Sequence, residues 1–203
     1  MGLLFKSLVN NKLIDPLLSG LRSEILKFAG NPRSVIEIAC GTGTLAIDIV
    51  RNADRIVAID LDQDFISYAS TRAEKKGLGN VQFIEGDASD LKNYSTDEFD
   101  ISVTAMSVHQ FDADLAVRII SEMGRIAKFT IIGDYNFPLP HNFSGFLANG
   151  IEKMAGGDHF RNFKEYIEKG GIKYFTDSAG LNIREVHYKG NGVFIALLCD
   201  KAL

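Results

Sequence analysis

The stretch Val35-Ile36-Glu37-Ile38-Ala39-Cys40-Gly41-Thr42-Gly43 decides the fold. Its first half is short, apolar and β-branched, which suits a strand buried on both faces. Glycines follow at once, and residues 44–52 then take up a helical spacing of apolar positions. Strand, glycine turn and helix in that order make the first half of a βαβ unit, with backbone N–H groups exposed where the helix starts. Glycine suits that turn because a missing side chain lets the backbone come close to a ligand.

The same alternation continues downstream. Residues 55–60, 81–85, 100–105 and 128–134 read as strands, and 64–76 and 115–127 as helices. This predicts an α/β fold: a doubly wound, Rossmann-like and mostly parallel sheet with helices on both faces. Beyond residue 136 the pattern changes. Pro138, Pro140 and Gly145 punctuate a segment without strands, with helical spacing over 146–154 and 162–169. Residues 182–188 and 192–200 then read as two strands joined through Lys189-Gly190-Asn191, a hairpin that adds an antiparallel edge. Upstream, apolar positions between Leu4 and Phe28 are interrupted by Asp15-Pro16, which predicts two helices, the second ending at Gly30. The expected organisation is one domain over 1–203: N-terminal helices at 1–30, a cofactor-binding core at 31–136, a helical substrate cap at 137–180 and the hairpin at 181–203.

Among the 203 residues, 22 Lys and Arg stand against 26 Asp and Glu, a formal charge of −4. With 46% hydrophobic and 24% charged residues, the chain reads as a globular protein able to bury a full core. No basic run exceeds Lys75-Lys76, so a small-molecule partner is expected and a nucleic acid is not. The longest purely apolar run, 193–199, is far short of the ~20 residues needed to cross a bilayer. Cys40 and Cys199 offer neither a disulfide framework nor metal-ligand spacing, so a cytoplasmic setting is expected and no metal is. The apolar N-terminal helix could serve as a lid, a homodimer contact, a membrane-surface element or simply a packed helix.

The glycines alone do not choose the cofactor. Gly41-x-Gly43-x-x-Ala46 also fits a dinucleotide fingerprint, with Asp60 about where a ribose-binding acid would stand. An NAD(P)-dependent oxidoreductase therefore stays open at this point. Glu37 separates the two readings, because a carboxylate in a buried strand needs a partner. It would repel a pyrophosphate and favour a cationic cofactor. Asp60 and Asp87 fall just past the second and third strands, where ligands gather in doubly wound sheets. Each has a second reading: Asp60 as a helix N-cap, although Asp62 and Asp64 are better placed for capping, and Asp87 as an Asx turn after Gly86.

On these residues the sequence resembles the class I S-adenosylmethionine-dependent methyltransferases, in particular the small-molecule group that includes the menaquinone and ubiquinone C-methyltransferases. The resemblance covers residues 30–135 by motif. It implies that Glu37, Ala39, Cys40, Gly41, Thr42 and Gly43 hold the methionine part of S-adenosylmethionine. It further implies that Asp60, beside Leu61, binds the ribose hydroxyls and that Asp87-Ala88 meets the adenine. Ala105 and Met106, with His109 after them, would then border the transferred methyl group. Two positions depart from the family pattern. Ala39 stands where glycine is usual, which is tolerable if φ there is negative, and His109-Gln110 replace the polar pair expected of quinone enzymes.

Methyl transfer from a sulfonium is an in-line displacement, so positioning supplies most of the rate and a base is needed only for an acceptor that keeps its proton. His109, just past the fourth strand, is the expected catalytic base, with a pocket-wall histidine as the alternative. His141 and His159 are expected over the same edge, and His187 is expected to be structural. The cap holds Phe137, Phe143, Phe146, Phe160 and Phe163, which suit an apolar or aromatic acceptor or else pack the cap helices. The expected activity is methyl transfer to O, N or C of a small acceptor; a non-catalytic cofactor-binding module is the other alternative.

Overall fold

The computed structural model describes residues 15–202; the first of the two expected N-terminal helices lies outside them. In chain order the elements are α1 (Asp15–Ala29), β1 (Ser34–Ile38), α2 (Thr44–Ile49), β2 (Arg55–Asp60), α3 (Gln63–Lys75), β3 (Val81–Glu85), β4 (Phe99–Ala105) and a 3-10 turn (Val108–Gln110). There follow α4 (Ala113–Ile126), β5 (Ala127–Tyr135), α5 (Phe143–Ala155), α6 (Gly157–Glu168), α7 (Ile172–Ser178), β6 (Leu181–Lys189) and β7 (Phe194–Lys201). The strands form one sheet in the order β3-β2-β1-β4-β5-β7-β6. The first five run parallel, while β7 pairs antiparallel with both β5 and β6.

Alternation along the strands separates two faces. Val35, Ile101, Val103 and Ile131 pack with α1 and α2, whereas Ile36, Ile38, Val57 and Ile59 pack with α4. Toward the hairpin, Ile132, Ile195 and Leu197 are covered by Ala116 and Ile120 of α4, Phe163 of α6 and Phe175 of α7. Helix α1 occupies Asp15–Ala29, the first of the described residues. Its Leu21 and Ile25 are fully buried on the sheet over Gly133. A Cβ on Gly133 would stand 2.7 Å from Ile25 Cδ1, so this helix rests on bare backbone of β5. Residues 15–29 thus form a helix packed on the sheet.

The strand order reverses between β1 and β4. Loops leaving the two strands there part in opposite directions, and the crevice outside their C-terminal ends is where open α/β sheets bind ligands. The glycine turn, Asp60, Asp87, residues 106–110 and Asp134 all lie along this edge. The segment after β5 enters through a cis Phe137-Pro138 peptide and forms three helices. Two of them match the expected cap helices with earlier starts. The third, α7, was not read, because Gly170-Gly171 look like an ending and the helix that follows is short.

Candidate active site

At the glycine turn, the backbone N–H of Gly41 donates to Asp60 Oδ2 at 2.7 Å, and that of Asp62 donates to Oδ1 at 2.9 Å. Asp60 therefore spans the ends of β1 and β2, and helix capping falls to Asp62, whose side chain accepts from the Asp64 N–H. The carbonyl of Thr42 accepts from Arg72 Nη1 of α3 at 2.7 Å, and the same nitrogen reaches Thr44 Oγ1 at 3.0 Å. Sequence reading passed over Arg72, since an arginine in a helix facing β3 carries no motif.

Gly43 caps α2 at φ 71°, and a Cβ on it would overlap Phe83 at 2.6 Å. Gly41 differs: at φ 51° its missing Cβ would enter open space. Ala39 corrects an expectation. Its φ is 55°, in the left-handed region that a residue with a Cβ enters only at a cost of about 1 to 2 kcal/mol. The N–H of Cys40, the next residue, is fixed to the Ile59 carbonyl at 3.0 Å and that of Gly41 to Asp60, so the backbone that follows Ala39 is tied to β2.

Glu37 is 3% exposed. Burial, together with the neighbouring charges of Asp60 and Asp48, pushes its carboxyl up to about 8, although the backbone N–H of Ala46 draws it the other way. Its Oε2 has no hydrogen-bond partner among the described residues. The thiol of Cys40 is buried and pushed well above its ordinary value by burial and by Glu37. Asp87 is exposed and accepts the Ser89 N–H at 2.8 Å, so the Asx turn is observed, with Ala88 buried beside it. Leu61 stands 68% exposed next to Asp60.

The end of β4 is shaped by polar contacts in the core. Thr104 Oγ1 donates to the Ile38 carbonyl at 2.8 Å and is joined by Ser107 Oγ at 2.5 Å. Ala105 and Met106 follow, half-buried, and Met106 turns the chain at φ 57° with its N–H on the Gly133 carbonyl. His109 then enters the core at 1% exposure. Its Nδ1 lies 2.6 Å from Asp134 Oδ1, and Asp134 also accepts the backbone N–H groups of Val108, His109 and Tyr135. Burial works to lower the imidazole pKa, but Asp134 and, behind it, Glu152 outweigh burial and hold it above the ordinary value.

Glu152 and His159 complete this cluster. Glu152 Oε1 accepts from the Tyr135 hydroxyl at 2.8 Å and lies 3.7 Å from His109 Nε2, while Oε2 is 2.5 Å from His159 Nε2. Burial would raise the Glu152 carboxyl, yet His159 and His109 hold it below its ordinary value. The sequence did carry a signal for Glu152. It continues the buried stripe of Gly145 and Ala148 on α5, and an acid on a core-facing stripe implies partners. His141 stays exposed at the start of the cap, and His187 joins Lys27 and Lys189 around Glu24, a structural role as expected.

The family model described as a methyltransferase domain matches residues 35–129, from β1 into β5. The uncharacterized methyltransferase YcgJ of Bacillus subtilis is 32% identical over 128 residues, which cover 63% of this chain and 50% of that protein. The ubiquinone/menaquinone biosynthesis C-methyltransferase UbiE of Sinorhizobium fredii is 32% identical over 130 residues, 60% of this chain and 50% of its own length. The chain thus spans about half the length of these curated relatives. In fold it is similar to a SAM-dependent methyltransferase from Aquifex aeolicus, with a TM-score of 0.69 at 16% identity over 98% of each chain. The dinucleotide reading that the glycines left open is set aside by these matches. Residues 35–129 match a methyltransferase domain, and the chain has the class I methyltransferase fold.

Proposed function

We propose that this protein transfers a methyl group from S-adenosylmethionine to a small apolar or aromatic acceptor lying between the crevice edge and the helical cap. The observation that carries the reading is the buried, unpartnered Oε2 of Glu37 just before the glycine turn. An orphaned carboxyl oxygen costs about 1 to 3 kcal/mol when nothing meets it, so a ligand with donors or positive charge accounts for its presence. Gly41, whose φ of 51° by itself favours glycine, leaves open space on the side where a Cβ would stand, which gives a ligand room to approach the turn.

When bound, the cofactor would supply an electrophilic methyl group on a sulfonium, with the neutral thioether S-adenosylhomocysteine as its leaving group. The residues of this chain bind and orient. Glu37 would face the cationic methionine end, and Asp60, already held by two backbone amides, would offer its remaining lone pairs to the ribose hydroxyls. Ala39, Cys40, Thr42 and Gly43 shape the turn, with Arg72 holding it from behind. On this reading Leu61, Asp87 and Ala88 would meet the base, and Ala105 and Met106 would border the reacting end. Any proton that His109 exchanged would pass through Nε2, because Asp134 takes Nδ1.

The cap supports an apolar acceptor: Phe137, Phe143 and Phe146 are exposed rather than packed. Phe163 is instead core, meeting the Tyr135 ring edge-on. Two free, buried thiols suit a reducing cytoplasmic setting. Calorimetric titration with S-adenosylhomocysteine tests the reading. Binding is expected, and Asp60→Ala should weaken it roughly 10- to 100-fold, the loss of charge-assisted hydrogen bonds. Absence of heat with the intact chain would refute it. Labelled methyl donor incubated with cell extract would then identify the acceptor.

A further inference from the structure

We infer that His109, Glu152 and His159 form a binding site for one divalent transition-metal ion of the zinc type, which clasps the helical cap to the sheet edge. This goes beyond the methyl-transfer reading and does not depend on it. Spacing along the sequence predicted no metal, because the three residues come from three separate elements: the 3-10 turn after β4, α5 and α6. Folding brings one ligand atom from each to within 4.8 Å of the others.

Two imidazoles and one carboxylate are a donor set for zinc or a neighbouring first-row ion rather than for magnesium or calcium, which prefer oxygen. Tetrahedral bonds of 2.0 to 2.1 Å place ligand atoms about 3.3 Å apart. His109 Nε2 and Glu152 Oε1, at 3.7 Å, are near that separation. Glu152 Oε2 and His159 Nε2, now in direct hydrogen bond at 2.5 Å, would open by less than 1 Å to admit the ion. His109 and Glu152 are buried, whereas the His159 side chain is 30% exposed, so the site has a closed floor and an approach from solvent.

The groups behind the ligands strengthen the case. Asp134 fixes the His109 ring through Nδ1 and leaves Nε2 directed at Glu152, the carboxylate–histidine arrangement that orients metal ligands. Tyr135, the next residue, donates to Glu152. Adjacent residues at the end of β5 therefore hold one ligand each, and the Tyr166 hydroxyl in turn holds the Tyr135 carbonyl.

The charge around the cluster is compatible with a dication. Asp134 and Glu152 are two buried acids, and among the described residues their ion-pair partners are histidines alone, with no lysine or arginine. Two negative charges are balanced either by two imidazolium rings or by one dication with both rings neutral. The two arrangements use Nε2 of His109 in incompatible ways, as a proton carrier or as a ligand, and only the second gives stoichiometric metal binding.

The test uses the full chain, stripped with a chelator and then titrated with cobalt(II), read by visible absorption, and with zinc(II) against a chromophoric competitor. One ion per chain with a tetrahedral cobalt spectrum is expected. His159→Ala and Glu152→Gln should each weaken binding about 100-fold or more, and Tyr135→Phe roughly 10-fold, while His141→Ala, in the same cap but outside the cluster, should leave it unchanged. S-adenosylhomocysteine binding by each variant reports whether the sheet edge is intact. A chain that binds S-adenosylhomocysteine but takes up no ion, or that binds the ion equally well without His159 and Glu152, overturns the inference and leaves the proposed function standing.

Discussion

Replacing Glu37 by Gln should make the protein more stable at alkaline pH and scarcely change it in acid. In the folded chain the carboxyl is raised from 4.5 to about 8, chiefly by burial. A raised acid binds its proton more tightly folded than unfolded, so the native state is favoured below pH 4.5 and loses that advantage as pH rises toward 8. One pKa unit corresponds to about 1.4 kcal/mol, so the interval amounts to about 5 kcal/mol between its limits. Gln keeps the shape and an acceptor for the Ala46 N–H but cannot ionise. Urea unfolding of both proteins across pH 5 to 9 should give curves that diverge by about 1.4 kcal/mol per pH unit between pH 5 and 8, the wild type falling relative to the variant. Parallel curves over that range would refute the reasoning, since Glu37 would then be ionised and paired in the folded chain. The cofactor adds a second readout. A cation placed beside Glu37 should draw its proton off, so S-adenosylmethionine binding at pH 7 should release close to one proton in the wild type and none in Glu37→Gln. Calorimetry in buffers of different ionisation enthalpy measures this.

Three other outcomes follow from the structure. Leu21→Ala should lower unfolding free energy by about 2 to 5 kcal/mol in denaturant titration, because the side chain is buried against Gly133 where the rigid strand cannot collapse into the void. Ala39→Gly should raise stability by up to about 1 kcal/mol, relief of left-handed strain being partly offset by a looser unfolded chain, with S-adenosylhomocysteine binding retained. Glu24 is held near 2 by hydrogen bonds from Lys27 and Lys189 and by His187, so its contribution should be present above pH 4.5 and fade as pH falls toward 2. Glu24→Gln should therefore flatten the acid limb of the stability profile measured by thermal melts.

The core elements were legible because each repeats one rule. Buried parallel strands are runs such as 34–38 and 55–60, and caps such as Asp62 and Asp112 mark helix starts in plain view. Strand order was not legible, since the reversal between β1 and β4 depends on long-range packing rather than on any residue pattern. Around the site, Glu37 and Asp60 could be found because an acid beside a buried strand is chemically conspicuous. Ala39 was misjudged for the opposite reason. Its sequence context gives the cost of a positive φ, while the hydrogen bonds that enforce it come from β2. The metal-type cluster lay beyond any spacing rule, since His109, Glu152 and His159 meet only when α5 and α6 fold back over the sheet edge.

Ala39 and Met106, both left-handed and neither a glycine, end the two central strands on either side of the crevice. Such strain persists only where the surroundings over-determine the backbone, and it gathers at ligand sites. At Met106 the constraint is explicit: its N–H is held by the Gly133 carbonyl and its own carbonyl by Gln110 Nε2. The sharp turn has two effects. It ends β4 at Ala105, and it sends residues 108–110 to Asp134, where the amides of Val108 and His109 anchor. The geometry at one strained residue thus sets both the end of β4 and the aim of His109 at Glu152. A substitution that relaxed Met106 would be felt on both sides of the edge, even though no single side chain spans them.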